Sequence, residues 1–164
     1  MRLALRVAAI VAGLIVCLPF HYLWKLFGRP SPWPQIFLRW TARRCGLRVR
    51  IEGEPLRRDV LMAANHVTWL DIVALGGAAR ASFVARDDVA RWPGVGWAAG
   101  LNDTIYIARH DRGSVRGQAD QLRQALAGGR AVVLFPEGTT EGGHEVLPFR
   151  ASLFASLFPP LPGV

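Results

Sequence analysis

Val60-Leu61-Met62-Ala63-Ala64-Asn65-His66-Val67-Thr68-Trp69-Leu70-Asp71-Ile72-Val73-Ala74-Leu75 is the stretch that sets the fold class. Its first five residues form an unbroken apolar run, the pattern of a strand buried on both faces. Asn65 and His66 end the run, and Trp69 to Leu75 reads as the helix after it. The same alternation continues downstream. Ala81 to Ala85 reads as a short strand, Trp97 to Leu101 as a short helix and Thr104 to Ala108 as a strand. Ser114 is placed to cap a helix running through Ala127, with Gly128-Gly129 as its stop, and Ala131 to Phe135 is a further buried strand. Upstream, Leu47, Val49 and Ile51 alternate with Arg48, Arg50 and Glu52, the pattern of a half-buried strand. The expectation is an α/β domain with a mixed, largely parallel sheet flanked by helices.

Before this domain the composition changes. From Val7 to Phe20 there is no charged residue, and the apolar character continues to Trp24. At ~1.5 Å per residue such a run approaches the ~30 Å of a bilayer core. Bulky Leu18, Pro19 and Phe20 stand where a cleavage site would need small residues, so an uncleaved anchor over residues 1–27 is expected. Residues 33–45 read as an amphipathic helix, with Pro34 at its start and Gly46 past its end. Its aromatic stripe either sinks into the acyl boundary or packs on the protein's own core. The coincidence of Trp33, Phe37 and Trp40 with Arg39, Arg43 and Arg44 favours an interfacial helix in region 28–46, against an anionic membrane surface.

The net charge of +8 is not a nucleic-acid signature. Residues 1–51 hold nine basic and no acidic side chains, whereas residues 52–164 hold eleven basic and twelve acidic. The positive charge thus accompanies the apolar segment, as in a membrane-seated protein, and no nucleic-acid partner is expected. Seven basic residues come after the apolar run and two precede it, so the domain is expected on the cytoplasmic side of the membrane. Cys17 and Cys45 make no disulfide framework, and no ligand spacing for a metal is present.

Two segments carry chemistry. His66 leaves the carboxyl end of a strand, where open α/β sheets bind ligands, and Asp71 comes one helical turn later. Such a pair can act as a general base and the carboxylate that orients it. By composition alone a His-x4-Asp pair arises in about one shuffled sequence in six, so the pair decides nothing by itself. Phe135-Pro136-Glu137-Gly138-Thr139-Thr140 decides more, because Phe-Pro-Glu-Gly-Thr would arise in roughly one in twenty thousand. Gly138 admits an anion close to backbone N–H groups, the threonines add hydroxyls, and Glu137 can accept from a donor.

Together these blocks resemble the glycerolipid acyltransferase family that includes 1-acyl-sn-glycerol-3-phosphate acyltransferases. Asn65–Asp71 matches its NHxxxxD block, Ile105-Tyr106-Ile107-Ala108-Arg109 a block ending in Arg, and Phe135–Thr139 its FPEGT block. The resemblance spans about residues 45–158, and Leu147-Pro148-Phe149-Arg150 is similar to the stretch downstream of FPEGT in these enzymes. It implies direct O-acyl transfer from an acyl thioester, on acyl-carrier protein or coenzyme A, to a lysophospholipid hydroxyl, without further cofactor or metal. In that reading His66 is the base, Asp71 its orienter, and Arg109, Glu137, Gly138 and Thr139 hold the acceptor. The absence of a Gly-x-Ser-x-Gly elbow agrees with a route lacking an acyl-enzyme.

Two departures bear on the substrate. Thr140 stands where many phosphatidate-forming members have Arg, and the family's last, Pro-containing strand would lie beyond Val164. Residues 47–164 are thus expected to form an acyltransferase domain incomplete at its C-terminus, with Leu153–Leu157 helical. Lysophosphatidate is the first acceptor expected and lyso-ornithine lipid the alternative. A non-catalytic, membrane-anchored lipid-binding protein is the reading from another class.

Overall fold

The computed structural model describes residues 2–54, 58–107, 115–140, 142–151 and 154. The chain divides into two compact units, residues 1–55 with 70–80, and residues 56–69 with 81–164.

The first unit is helical: α1 (Arg2–Leu26), α2 (Trp33–Cys45) and α3 (Leu70–Ala79). Leu3–Leu26 is long and apolar enough to cross a membrane, and Leu5, Ile15, Leu23 and Leu26 stand exposed along it. Pro19 lies inside this helix and removes one backbone donor from its ladder. α2 is pinned to α1 through its aromatic stripe. Trp33 stacks on Phe20 with centroids 4.7 Å apart, and Trp40 Nε1 donates to the Ala9 carbonyl at 3.2 Å. Gly13 makes room for that indole, since a Cβ there would come within 2.7 Å of Trp40 Nε1. Thus Trp33 and Trp40, which the sequence sends toward the acyl boundary, pack inside the unit. Ile36, Arg39, Arg43 and Arg44 remain exposed, with the Arg44 guanidinium 3.9 Å over the Trp40 ring. Pro34 opens α2 and Gly46, at φ 86°, closes it, as their positions in the sequence predict.

The expected strand over Leu47–Ile51 does not form. Leu47 N–H donates to the Ala42 carbonyl at 2.9 Å, so the segment begins as the cap of α2, and Val49 and Ile51 are half exposed. Alternating side chains need a neighbouring strand to pair with, and these residues pair with none among the described residues.

The second unit is the sheet. Its elements are β1 (Val60–Ala63), β2 (Ala81–Arg86), a 3-10 turn (Asp87–Arg91), α4 (Val95–Leu101), β3 (Ile105–Ile107), α5 (Val115–Ala127) and β4 (Ala131–Leu134). The strands lie in the order β1-β4-β2-β3, and all the described pairings are parallel. Register accords with the burial pattern: Val60 pairs with Ala131 and Ala63 with Leu134, while Ala81 also pairs with Ala131. β4 lies between β1 and β2 and is buried along its whole length, which is why its run Ala-Val-Val-Leu carries no polar residue. Val84, Ile105, Ile107, Val132 and Leu134 form the core with Leu122 and Ala125 of α5. Parallel pairing puts the carboxyl ends of β1, β2, β3 and β4 on one edge. The expected helix Leu153–Leu157 and the cap Ser114 fall, apart from Phe154, outside the described residues.

Within the helical unit α3 meets α2 through small residues. Gly76 and Gly77 are buried, and a Cβ on Gly77 would lie 2.7 Å from Arg39 Cα and N. The helices therefore cross in backbone contact. Gly77→Ala is expected to destabilise the protein by ~1–3 kcal/mol through overpacking. Gly100→Ala, at a helical position with open space, should be neutral or gain ~0.5–1 kcal/mol. Denaturant unfolding in detergent measures both; equal stability of the two variants would show that α2 and α3 do not depend on that close approach.

Candidate active site

The site is built where β1 and β4 end. Pairing continues one residue past β1, with Ala64 N–H donating to the Leu134 carbonyl at 3.1 Å, and the chain then turns through Asn65 and His66. β4 runs on into Phe135 and Pro136, and a tight turn brings Gly138 N–H back to the Phe135 carbonyl at 3.1 Å. Gly138 has φ 72°, a left-handed conformation that a side chain would strain, so this position in the motif requires glycine.

Glu137 lies inside that turn. It is 2% exposed, and its Oε2 accepts from the backbone N–H of His66 at 3.2 Å. The two sequence blocks, 71 residues apart, are thereby tied by a charge-assisted hydrogen bond. Glu137 Oε1 is also buried and has no hydrogen-bond partner among the described residues. A buried carboxylate oxygen without a donor is costly, and this one is shut off from solvent in the turn as it stands.

The His66 ring lies flat on Phe135, with centroids 4.0 Å apart and planes 15° from parallel. Phe135 in turn stacks near Phe83 of β2 at 6.0 Å. The imidazole therefore rests on an aromatic floor carried by two strands, while its backbone is held by Glu137. Local sequence pattern does not reveal this floor, since it marks Phe135 only as the strand's last residue; an aromatic at the strand end before Pro-Glu is the one available signal. On the other side, Arg150 N–H donates to the Pro136 carbonyl at 2.9 Å, bringing the 142–150 segment to the turn.

Of the other residues expected at the site, Asp71 is half-buried in the first turn of α3, in the helical unit, five positions after His66. Thr139 and Thr140 are exposed beside the half-buried Gly138. Arg109, with His110 and Asp111, lies outside the described residues. Among the described residues no three His, Cys, Asp or Glu side chains group as a metal site.

A family model described as Acyltransferase matches residues 48–158. The chain belongs to the acyltransferase family. Similar members include the lyso-ornithine lipid O-acyltransferase of Rhodobacter capsulatus, 36% identical over 96% of this chain and 60% of that protein. That of Brucella abortus is 39% identical over 94% of the chain and 59% of its own length. The 1-acyl-sn-glycerol-3-phosphate acyltransferase of Neisseria gonorrhoeae is 38% identical over 71% of the chain and 46% of its own length. The chain thus spans about three fifths or less of these acyltransferases. In fold it is similar to the 1-acyl-sn-glycerophosphate acyltransferase PlsC of Thermotoga maritima, at 22% identity and a TM-score of 0.62, covering 94% of this chain and 70% of that one.

The clamp has a measurable consequence. Glu137→Ala leaves the His66 N–H without its acceptor and should cost ~1–3 kcal/mol, with faster hydrogen exchange at the His66 amide. Glu137→Gln keeps a carbonyl acceptor and should cost less than half as much. Equal losses in thermal unfolding would mean that the carboxylate's charge, not its hydrogen bond to His66, holds the turn.

Proposed function

We propose that this chain carries the catalytic domain of a membrane-bound O-acyltransferase that moves a fatty acyl group from a thioester to the free hydroxyl of a lysolipid. The observation carrying this reading is the Glu137–His66 hydrogen bond, which joins the two motif blocks at the carboxyl edge of the sheet. His66 takes the proton of the acceptor hydroxyl as its oxygen attacks the thioester carbonyl. The C–S bond breaks, the acyl group stays on the acceptor oxygen, and the thiolate leaves and takes up the proton. Asp71 orients the imidazole, and Arg109 holds the anionic part of the head group. The thioester is already activated, so no side-chain nucleophile is required. The donor's carrier is acyl-carrier protein or coenzyme A.

For the acceptor, relatives of both names support lysophosphatidate, which the sequence places first, and lyso-ornithine lipid alike; the chemistry of the site favours lyso-ornithine lipid. Relatives named for lyso-ornithine lipid match 71–96% of the chain and those named for 1-acyl-sn-glycerol-3-phosphate match 71%. Thr140 supplies no cation for a phosphate, and Glu137 Oε1, without a partner among the described residues, accepts from an amine if the turn opens to admit one. In this reading Glu137 takes the amine of the amino-acid head and Arg109 its carboxylate. Residues 1–27 hold the protein in a bacterial inner membrane, with the basic flank on the cytoplasmic side facing anionic headgroups.

Two measurements test this. His66→Ala should lower turnover by ~10²-fold or more with an unchanged circular dichroism spectrum, and Asp71→Asn should also be severe. Near-normal turnover in folded His66→Ala would overturn the mechanism. Separately, lysophosphatidate and lyso-ornithine lipid competing for one acyl donor should favour lyso-ornithine lipid in the wild type, and Thr140→Arg should shift the ratio toward lysophosphatidate. A wild-type preference for lysophosphatidate would return the acceptor to the one the sequence ranks first.

A further inference from the structure

The register of the sheet explains why Phe135 meets His66. Phe83 of β2 pairs with Val133 of β4, and Phe135 comes two residues after Val133. The two phenylalanines therefore share one face of the sheet as diagonal neighbours. Their rings are 6.0 Å apart and 7° from parallel, and both are buried. Pro136 comes next and is itself fully buried, which keeps the Phe135 backbone extended and its ring on that face. On the other side of β4, Ala63 pairs with Leu134 and Ala64 N–H donates to the Leu134 carbonyl, so the register carries Ala64 up beside Phe135. Ala64 is too small to cover the Phe135 ring, and the ring that does so belongs to His66, two residues on.

This stack is closer than a pair of neutral rings requires. The centroids of His66 and Phe135 lie 4.0 Å apart with planes 15° from parallel, whereas neutral aromatic pairs favour offset or edge-on arrangements at ~4.5–7 Å. Face over face is the geometry in which a cationic ring meets the negative face of an aromatic, well within the ~6 Å over which that attraction acts. His66 becomes such a cation once per turnover. When it takes the acceptor's proton, a half-buried imidazole acquires a charge that burial penalises. The stack also occupies only the face of the imidazole. Both ring nitrogens bond within the ring plane, so Phe135 fixes the plane in which the proton moves without competing for it.

We propose that Phe135, backed by Phe83, is a positioning residue for acyl transfer: its ring holds the plane of the His66 imidazole and stabilises the imidazolium formed as the acceptor oxygen attacks the thioester. The proposal rests on the O-acyl transfer reading above. The stabilisation grows as the acceptor O–H bond breaks and the His66 N–H bond forms, and it ends when that proton passes to the leaving thiolate. It therefore lowers the barrier without tightening the binding of either substrate. Glu137 acts on a different part of the same residue, holding the His66 backbone rather than its ring.

The experiment places phenylalanines carrying one, two and three ring fluorines at position 135 of the full chain, since fluorine withdraws charge from the ring face while nearly keeping its shape. With lyso-ornithine lipid and lysophosphatidate as acceptors and one acyl thioester as donor, kcat should fall about two-fold per fluorine, and KM should stay within about two-fold of wild type. Phe135→Leu, which removes the face altogether, should lower kcat about ten-fold or more. Proton NMR of the detergent-solubilised protein gives a readout independent of activity. The carbon-bound ring protons of His66 should be shifted upfield by the Phe135 ring current, and Phe135→Leu should abolish that shift. A kcat indifferent to fluorination, a loss that appears in KM instead, or unshifted His66 protons in the wild type would overturn the proposal. Wild-type chain that acylates neither acceptor would overturn the acyl-transfer reading and this role with it, a result distinct from an active enzyme that ignores fluorine.

Discussion

The hydrogen bond from His66 N–H to Glu137 Oε2 is the constraint on which the site depends. A carboxylate at 2% exposure is expensive unless its oxygens are met, and here one is met by the backbone of the very residue proposed as base. The bond has a geometric prerequisite in the sheet. β1 and β4 must be neighbours in parallel, with Ala63 opposite Leu134, for the residue after Asn65 to arrive above the turn after Pro136. β1 and β4 are the first and last described strands in sequence, so the site forms only when the ends of the sheet segment come together. The fully apolar β4, buried on both sides, supplies the driving force for that non-local pairing.

The helical unit obeys a different rule. α1 and α2 meet through one indole hydrogen bond, one aromatic stack and a glycine that makes space, and α2 and α3 meet through Gly77. Small residues at these crossings let the helices approach to backbone contact, and the single polar anchors fix which faces meet. His21, buried near the end of α1, shares a 3.0 Å hydrogen bond with Ser31 in the connection to α2. That local tie leaves few conformations to the link between the helices.

The parts of this architecture legible in the sequence are those written in local pattern. Pro34 and Gly46 bound α2, and the runs at 60, 81 and 131 form β1, β2 and β4 close to where periodicity places them. The Glu-Gly turn and His66 fall on one sheet edge because strand-to-helix alternation implies parallel strands. What local pattern does not encode is partnership. Leu47–Ile51 alternates as a strand does, yet its first N–H closes α2, and no β partner stands among the described residues. The stripe of α2 could face a membrane or a helix with the same residues, and Trp33 and Trp40 face α1. Phe135 as the floor of His66 depends on strand adjacency, which no single segment of sequence encodes.

The same buried carboxylate bears on which acceptor the proposed enzyme takes. Two unit charges about 6 Å apart at an effective dielectric of ~20 interact by roughly 3 kcal/mol. A phosphate brought to that distance from Glu137 is opposed by this much per negative charge unless a nearby cation cancels it. Where Arg comes after FPEGT, the motif itself supplies such a cation; here Thr140 supplies a neutral hydroxyl. An ammonium at the same distance reverses the sign of its interaction with Glu137. In the proposed reading, the residue that holds the His66 backbone thus also favours a head group carrying an amine.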